Sequence, residues 1–377
     1  MINGVQGTMS KMGQHDIEPD AVNGEKGAAV EGARAPKFEL TTSRQFTSWL
    51  AEHKASLAFT TYQAGKLFFL GLKPDGRLSV FNRNLERCMG LAYADGSLYV
   101  STLYQIVRFV DATTPETRGK GADALFTPQL SYITGDLDAH DVAIGEGHRI
   151  FFVNTLFSCL AEASATHSFK PYWKPPFIDR LAAEDRCHLN GLAMQAGLPR
   201  YVTAVSATNV ADGWRDHRRD GGVVLDVQSG ETITTGLSMP HSPRLHAGRL
   251  WLHNSGTGEF GHVDKASGHF QPLAFCPGYL RGLAFLGDFA ILGLSKARQN
   301  RTFSGLKLDD KLAQHKVEPR CGLYVVDLRS GDIAHWARID GIVSELYDVA
   351  VIPDRQNPRA VGFKTDEIRR VISIAER

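Results

Sequence analysis

The sequence predicts an all-β chain, a six-bladed β-propeller preceded by a leader and one short helix. Three observations predict it. From Leu57 onward, short β-rich runs (LAFTTY, KLFFLGL, RLSVF, SLYVSTL, IVRFV) are broken by PDG, ADG, GEG and QSG, the punctuation of short strands and tight turns. One phrase then recurs six times: RCMGLAYADGSLYV from Arg87, DAHDVAIGEGHRIFFV from Asp138, HLNGLAMQAGLPRYVTAV from His188, MPHSPRLHAGRLWL from Met239, YLRGLAFLGDFAILGL from Tyr279 and ELYDVAVIPDRQNPRAVGF from Glu345. Finally, equivalent positions in these copies lie 51, 50, 51, 40 and 66 residues apart, and about 40–50 residues per unit is the length of a propeller blade.

The elements follow in order. Residues 1–36 are rich in Gly, Ala, Glu and Lys without apolar periodicity, which predicts a disordered leader; residues 37–377 form one propeller domain. SRQFTSWLAEHKA predicts a short amphipathic helix with Ser43 as its N-cap. The strands from Leu57 to Asn82 precede the first inner strand, and the chain ends just after the inner strand at Leu346–Ile352. One blade is therefore completed from both termini, which closes the ring without a free edge; the three N-terminal strands leave a seventh blade open. GGVVLDVQSGE, FGHVDKASGHF and CGLYVVDLRSGDI each read as the two outer strands of a blade. The 66-residue interval holds a polar insertion, Ala297 to Arg320. With FKPYWKPPF (Phe169 to Phe177), read as a rim loop, it would roof a pocket.

Composition narrows the function classes. The 377 residues are 43% hydrophobic and 22% charged with a net charge of +1, ordinary for a soluble fold. Without a basic stripe there is no footprint for nucleic acid; the densest cluster, WRDHRRD at Trp214–Asp220, mixes in Asp and reads as a solvated loop. No apolar run reaches the length of a membrane span, and the N-terminus lacks an apolar signal core. Five cysteines without a CxxC pair predict free thiols in a reducing, cytoplasmic setting.

The recurring phrase also places the chemistry. The residue before its Gly/Asp/Ser is Met89, His140, Asn190, His241, Arg281 or Tyr347; two positions earlier stand Arg87, Asp138, His188, Met239, Tyr279 and Glu345. Alternation in a strand puts both sets on one face, and successive blades bring that face to one end of the central channel. Packing slots would hold Val, Ile and Leu. His140, His188 and His241, from three consecutive blades, are candidate ligands of one transition-metal ion (Zn, Fe, Cu or Mn), which imidazole suits better than Ca or Mg. Glu345 and Asp138 are candidates for general base or extra ligand, with Tyr347 as a proton donor. Arg87 and Arg281 would clamp an anionic group, or pair with Asp138 and Glu345; Asn190 and Tyr279 complete the substrate-binding set. Ser101-Thr102, Asn154-Thr155, Thr208-Asn209, Asn254-Ser255 and Ser295-Lys296 form a second polar series, read as rungs between blades.

GLSMPHSPRLHAGRLWLHNSGTGEFGHVD, followed by PGYLRGLAF, GLSKARQNRTFSGL, CGLYVVDLRSG and ELYDVAVIP, resembles a family of bacterial conserved hypothetical proteins over roughly Phe46 to Pro353, with PHSPR and NSGTGE as its signatures. A looser similarity, carried by HLNGLAM, is to the six-bladed gluconolactonase and senescence-marker propellers. That resemblance implies Asn190 as a metal ligand, although those proteins use carboxylates and Asn where this ring is rich in His. The reading is thus a metal-dependent enzyme acting on a small anionic substrate or a peptide side chain, by hydrolase, lyase or oxidative chemistry. Its rival is a non-catalytic propeller that presents its rim to a protein or glycan.

Overall fold

The computed structural model describes residues 38–115, 121–296 and 304–374; the leader and the first part of the insertion lie outside the described residues. A first strand, β1 (Glu39–Thr42), leads into α1 (Phe46–Glu52). Three strands follow, β2 (Ala55–Thr61), β3 (Lys66–Leu72) and β4 (Leu78–Asn84). Then come four-strand runs: β5 (Leu91–Ala94), β6 (Ser97–Ser101), β7 (Gln105–Asp111) and β8 (Ala124–Ile133); β9 (Ala139–Ile144), β10 (Ile150–Asn154), β11 (Cys159–Glu162) and β12 (Lys170–Trp173); β13 (Leu189–Gln195), β14 (Leu198–Ala204), β15 (Gly222–Asp226) and β16 (Thr232–Leu237). The fourth run is β17 (Pro240–His246), β18 (Arg249–Asn254), β19 (Glu259–Asp264) and β20 (His269–Phe275). The fifth is β21 (Tyr279–Leu286) and β22 (Phe289–Ser295), then α2 (Lys307–His315), β23 (Cys321–Asp327) and β24 (Ile333–Asp340); β25 (Val349–Pro353) and β26 (Pro358–Ala360) end the chain's strands.

These strands make six antiparallel sheets, the six blades, with β5, β9, β13, β17, β21 and β25 innermost. The sixth blade joins β25 to β2, β3 and β4, so it is built from both ends of the chain, as the strand order in the sequence requires. Two further strands reinforce the seam. β1 pairs with β24 of the fifth blade, and β26 runs parallel to β8 of the first. Strands such as KLFFLGL are apolar on both faces because each sheet is covered by a blade on either side; Leu67, Phe68, Phe69 and Leu70 are all buried. Three inner hairpins turn on pairs of residues with positive φ, Asp95-Gly96, Ala196-Gly197 and Ala247-Gly248, the geometry of a two-residue type I′ turn.

Several local readings change. Ser43 does not cap α1 through its side chain; its Oγ accepts from the Trp336 N–H at 3.3 Å, and Gln45 occupies the cap position. Trp49, Phe46 and Leu50 instead seat the helix on the core shared by the fifth and sixth blades. The insertion contains α2, whose Leu308 and Leu312 pack with Leu306 against Trp214, Met239 and Tyr279. Its polar surface hid that short apolar stripe. FKPYWKPPF is not a rim loop, because Lys170–Trp173 is the outermost strand of the second blade. WRDHRRD opens with a 3-10 turn that buries Trp214. All five cysteines are buried free thiols. Among the described residues no helix is long and apolar enough to cross a membrane.

The blades are stitched at the level of the recurring phrase. Hydroxyls donate across blade boundaries: Thr60 to the Met89 carbonyl (2.5 Å), Ser101 to Ala139 (2.8 Å), Thr155 to Leu189 (2.6 Å), Ser255 to Leu280 (2.7 Å) and Ser295 to Leu346 (2.9 Å). Four of these come from the polar series read as rungs. Thr208-Asn209 makes no such rung; the Asn209 carbonyl oxygen accepts from Arg186 and from the Asp179 N–H.

Candidate functional site

The slot preceding each inner hairpin alternates Gly90, Asp141, Gly191, Ser242, Gly282, Asp348. The alternation is steric and polar together. A Cβ at Gly90 would lie 2.9 Å from the Val142 nitrogen, at Gly191 2.3 Å from Pro243 Cδ, and at Gly282 2.7 Å from Asp348 Cα. Each polar member reaches the next blade: Asp141 Oδ2 accepts from Leu192 N–H, Ser242 Oγ from Gly282 N–H and Asp348 Oδ2 from Leu91 N–H. At the centre, the Arg244 guanidinium grips Asp141 bidentately at 2.7 and 3.0 Å and lies 3.8 Å from Asp348. Second, fourth and sixth blades are thereby tied together inside the channel.

On one side of this plug the channel opens into a polar cavity of about 200 Å³. Of the residues singled out in the sequence, Asp138, His140, His188, Arg281 and Tyr347 line it; Arg87 lines a larger neighbouring groove; Asn190, His241, Tyr279 and Glu345 line neither. The convergence does not arise from strand alternation alone. Arg87, Asp138, His188 and Met239 have φ of +46°, +53°, +50° and +49°, left-handed residues that stand ahead of their strands and kink the chain. Of the pairs two apart, only Asp138 and His140 share the cavity; in the other kinked copies one member lines it and the other does not.

The three histidines are anchored alike. Nδ1 of His140 donates to the Asp138 carbonyl at 2.8 Å and lies 2.8 Å from the Thr155 hydroxyl. Nδ1 of His241 donates to the Met239 carbonyl at 2.8 Å, and Nδ1 of His188 to Asp185 Oδ2 at 2.8 Å. Each Nε2 therefore carries the lone pair when the ring is neutral. His140 and His188 meet edge to face with ring centroids 4.8 Å apart, whereas His241 packs against Tyr279 at 5.5 Å. Burial pushes the His140 imidazole down to about 4 against the pull of Asp138, and burial with the nearby Arg281 holds His241 well below its ordinary value. Both are neutral at pH 7. Among the described residues no set of three or more His, Cys, Asp or Glu side chains is placed to hold a metal ion.

Asp185 and Trp214 were not read from the sequence, although Asp185 stands three residues before His188. Asp185 Oδ2 accepts from both His188 Nδ1 and the Trp214 indole N–H, each at 2.8 Å, and the indole stacks on the His188 ring at 4.1 Å. Burial raises the Asp185 carboxyl, with His188 and Trp214 opposing. Burial also disfavours ionised Asp138, but His140 and Arg87 outweigh it and keep that carboxyl below its ordinary range. Arg87 is committed to Asp138 (2.7 Å) and Asp136 (2.8 Å), the pairing the sequence offered as an alternative to an anion clamp. The Arg281 guanidinium sits over the rings of Tyr347 (4.7 Å) and Tyr279 (5.3 Å). Burial raises the Tyr347 phenol well above its ordinary value despite Arg281, so it stays protonated. Asn190 Oδ1 accepts from the Thr203 hydroxyl at 2.7 Å.

A model of the family described as "Domain of unknown function (DUF4915)" matches residues 44–361. No curated protein matches the chain. Among solved structures, one chain of a nidogen/laminin complex is similar at 14% identity and a TM-score of 0.50, covering 80% of this chain and 99% of that one. A streptogramin B lyase (10% identity, TM-score 0.38, 81% and 98% covered) and virginiamycin B lyase from Staphylococcus aureus (11%, 0.37, 80% and 99%) are more distant. At these identities the likeness concerns the fold.

Proposed function

The chain belongs to the DUF4915 family, whose description assigns no reaction, and we propose from its own residues that it is an enzyme acting on a small anionic substrate in the 200 Å³ cavity. The observation that carries the reading is the Asp185–His188 hydrogen bond at the cavity wall. A carboxylate fixes the tautomer of an imidazole whose other nitrogen is left to take a proton, the arrangement of a general base with its orienting group. Arg281 would hold the anionic group beside it, and the protonated Tyr347 would donate to charge developing on an oxygen. A turnover screen of lactones, phosphate and carboxylate esters and α-hydroxy acids tests this. For any substrate found, His188→Gln removes the proton carrier and costs about 10²–10⁴ in kcat. Asp185→Asn acts through His188, lowering kcat and moving the pH profile with KM little changed. A substrate turned over equally by His188→Gln refutes the assignment.

A second reading is favoured by the shared anchoring of Nδ1. Metal-binding histidines are commonly held through the other ring nitrogen by a carbonyl or carboxylate. A transition-metal ion (Zn, Fe, Cu or Mn) would be held by the Nε2 atoms of His140 and His188, the two imidazoles that line the cavity. It would supply Lewis-acid polarisation or a redox couple. Tag-free protein purified without chelator should then carry close to one equivalent of metal that His140→Ala and His188→Ala abolish. Less than about a tenth of an equivalent after reconstitution sinks this reading, because such sites bind far more tightly than that.

A further inference from the structure

A groove of about 880 Å³ lies where the sixth blade meets the first, within the range of about 300–1,000 Å³ typical of small-ligand sites. Three aromatic rings line it, Tyr62, Tyr104 and Phe363, and Tyr104 and Phe363 are 45% and 42% exposed. Three side-chain amides line it too, and all are anchored in the same sense. The carbonyl oxygen of Gln63 accepts from the Ser344 hydroxyl, that of Asn84 from Lys66 Nζ, and that of Gln105 from the Ser131 hydroxyl. With its oxygen engaged, each amide has its NH₂, a double donor, left to offer a ligand.

The groove's charge is nearly balanced. The Arg87 guanidinium is already engaged by Asp136 and Asp138, and the remaining charged residues of the lining, Lys364 and Glu86, are one of each sign. An anionic polymer finds no excess of cations here. Nor does the wall offer backbone to an extended peptide. The Leu103 N–H donates to Glu86, Leu85 N–H to Gly65, Thr102 N–H to Gln105, and the Tyr104 carbonyl accepts from Thr134 and Gly135. Pairing by strand addition needs such groups unpaired.

The Tyr62 ring is packed against Tyr347 and beneath Arg87, so the exposed rings are those of Tyr104 and Phe363. Exposed rings beside amide donors, with little net charge, suit a sugar. Sugar rings stack their C–H faces on aromatics and offer hydroxyl oxygens to amides. We propose that this groove binds a neutral oligosaccharide. Tyr62 borders both the groove and the inner cavity, so the sugar end of a larger substrate could lie here. The inference stands on the groove alone and does not need the proton chemistry of His188.

Titration calorimetry with maltotriose, cellotriose and triacetylchitotriose, and with trialanine as a peptide of similar length, decides it. At least one trisaccharide is expected to bind with Kd at or below about 1 mM, about −4 kcal/mol, while trialanine gives no heat. Tyr104→Ala and Phe363→Ala, both at exposed positions, should each weaken that binding about tenfold without lowering Tm, and His188→Gln should leave it unchanged. Silence from all three sugars at about ten times that concentration overturns the proposal. So does binding indifferent to both aromatic variants, or trialanine binding that competes with the sugar. His188→Gln separates the two readings: lost turnover with intact sugar binding retains both, while intact turnover refutes only the inner-cavity assignment.

Discussion

Asp348→Asn should make the protein less sensitive to pH, and the size of the effect follows from the plug in the channel. Asp348 is 3% exposed and shares one guanidinium with Asp141, which takes the bidentate grip at 2.7 and 3.0 Å and leaves Asp348 3.8 Å from Arg244. Burial pushes the Asp348 carboxyl up to about 7, with Arg244 opposing and Asp141 adding to the rise. In the unfolded chain it titrates near 3.9. The folded state thus holds a proton that the unfolded state has released. Stability from this group is complete below about pH 4 and is lost as pH climbs to about 7. At about 1.36 kcal/mol per unit, the two units between pH 5 and 7 remove about 3 kcal/mol from the wild type. Asparagine cannot ionise and loses none.

His140 and His253, both pushed down to about 4 by burial, work in the opposite sense. Their stabilisation is complete above about pH 6.5 and falls away in acid. They act equally in both proteins and cancel in the difference. The assay is urea unfolding by tryptophan fluorescence of both proteins at pH 5 and pH 8. The asparagine variant should gain about 3 kcal/mol on the wild type between those values. A gap constant to within about 0.5 kcal/mol, the ordinary scatter of surface substitutions, would refute the shared-guanidinium argument.

Arg244→Met strands both buried carboxylates and should cost about 3–5 kcal/mol at pH 8, less at pH 5, read by the same unfolding curves. Gly282→Ala forces a Cβ to 2.7 Å from Asp348 Cα at a residue with φ of +76°, so it should destabilise by more than about 1–3 kcal/mol and lower Tm. Thr155→Val removes one hydroxyl rung and a partner of His140 Nδ1, an expected loss of about 1–3 kcal/mol in the same assay because a buried carbonyl is left unpaired. The five cysteines, buried and with thiols pushed up to about 12, should resist an aromatic disulfide reagent in the native state and all react in urea; fast labelling of any one in buffer would show its blade opening.

The blade count was legible because spacing and phrase repeat together, and the closure from both termini followed from which strands stand first and last. The site was legible only in part. His140, Arg281 and Tyr347 sit in one slot of the phrase and His188 in the slot two positions earlier, each polar in five of the six copies. Asp185 lies outside that slot and gains its role from a turn that brings it under His188 and beside Trp214, and Trp214 is hidden in a run of Arg and Asp that reads as solvent-facing. The left-handed residues Arg87, Asp138 and His188 carry no glycine to announce the bend. The alternation of Gly with Asp or Ser, by contrast, was printed in the sequence. Its meaning needed the neighbouring blade, because each small residue makes room for the backbone of a polar one that is distant in the chain.

That alternation bears on how the site works. Asp141, Ser242 and Asp348 do not face the polar cavity; they cap backbone amides of the next blade, and Arg244 joins two of them across the axis. Beyond Arg244 the channel widens again into a space of about 360 Å³ walled by residues such as Ile144, Leu245 and Phe285. The axis is thus divided into two spaces by an ion-paired partition. A charged ligand in the polar chamber meets neutral His140, the Asp185–His188 pair and Arg281, and its passage to the other chamber would require breaking an ion pair whose carboxylates are almost wholly buried. Exchange therefore belongs to the face bearing Tyr62, Trp214 and Arg215, the same face on which the larger groove opens beside Tyr62. Proton chemistry at His188 and sugar binding in the groove, as proposed, therefore concern one and the same face, where Tyr62 borders both spaces.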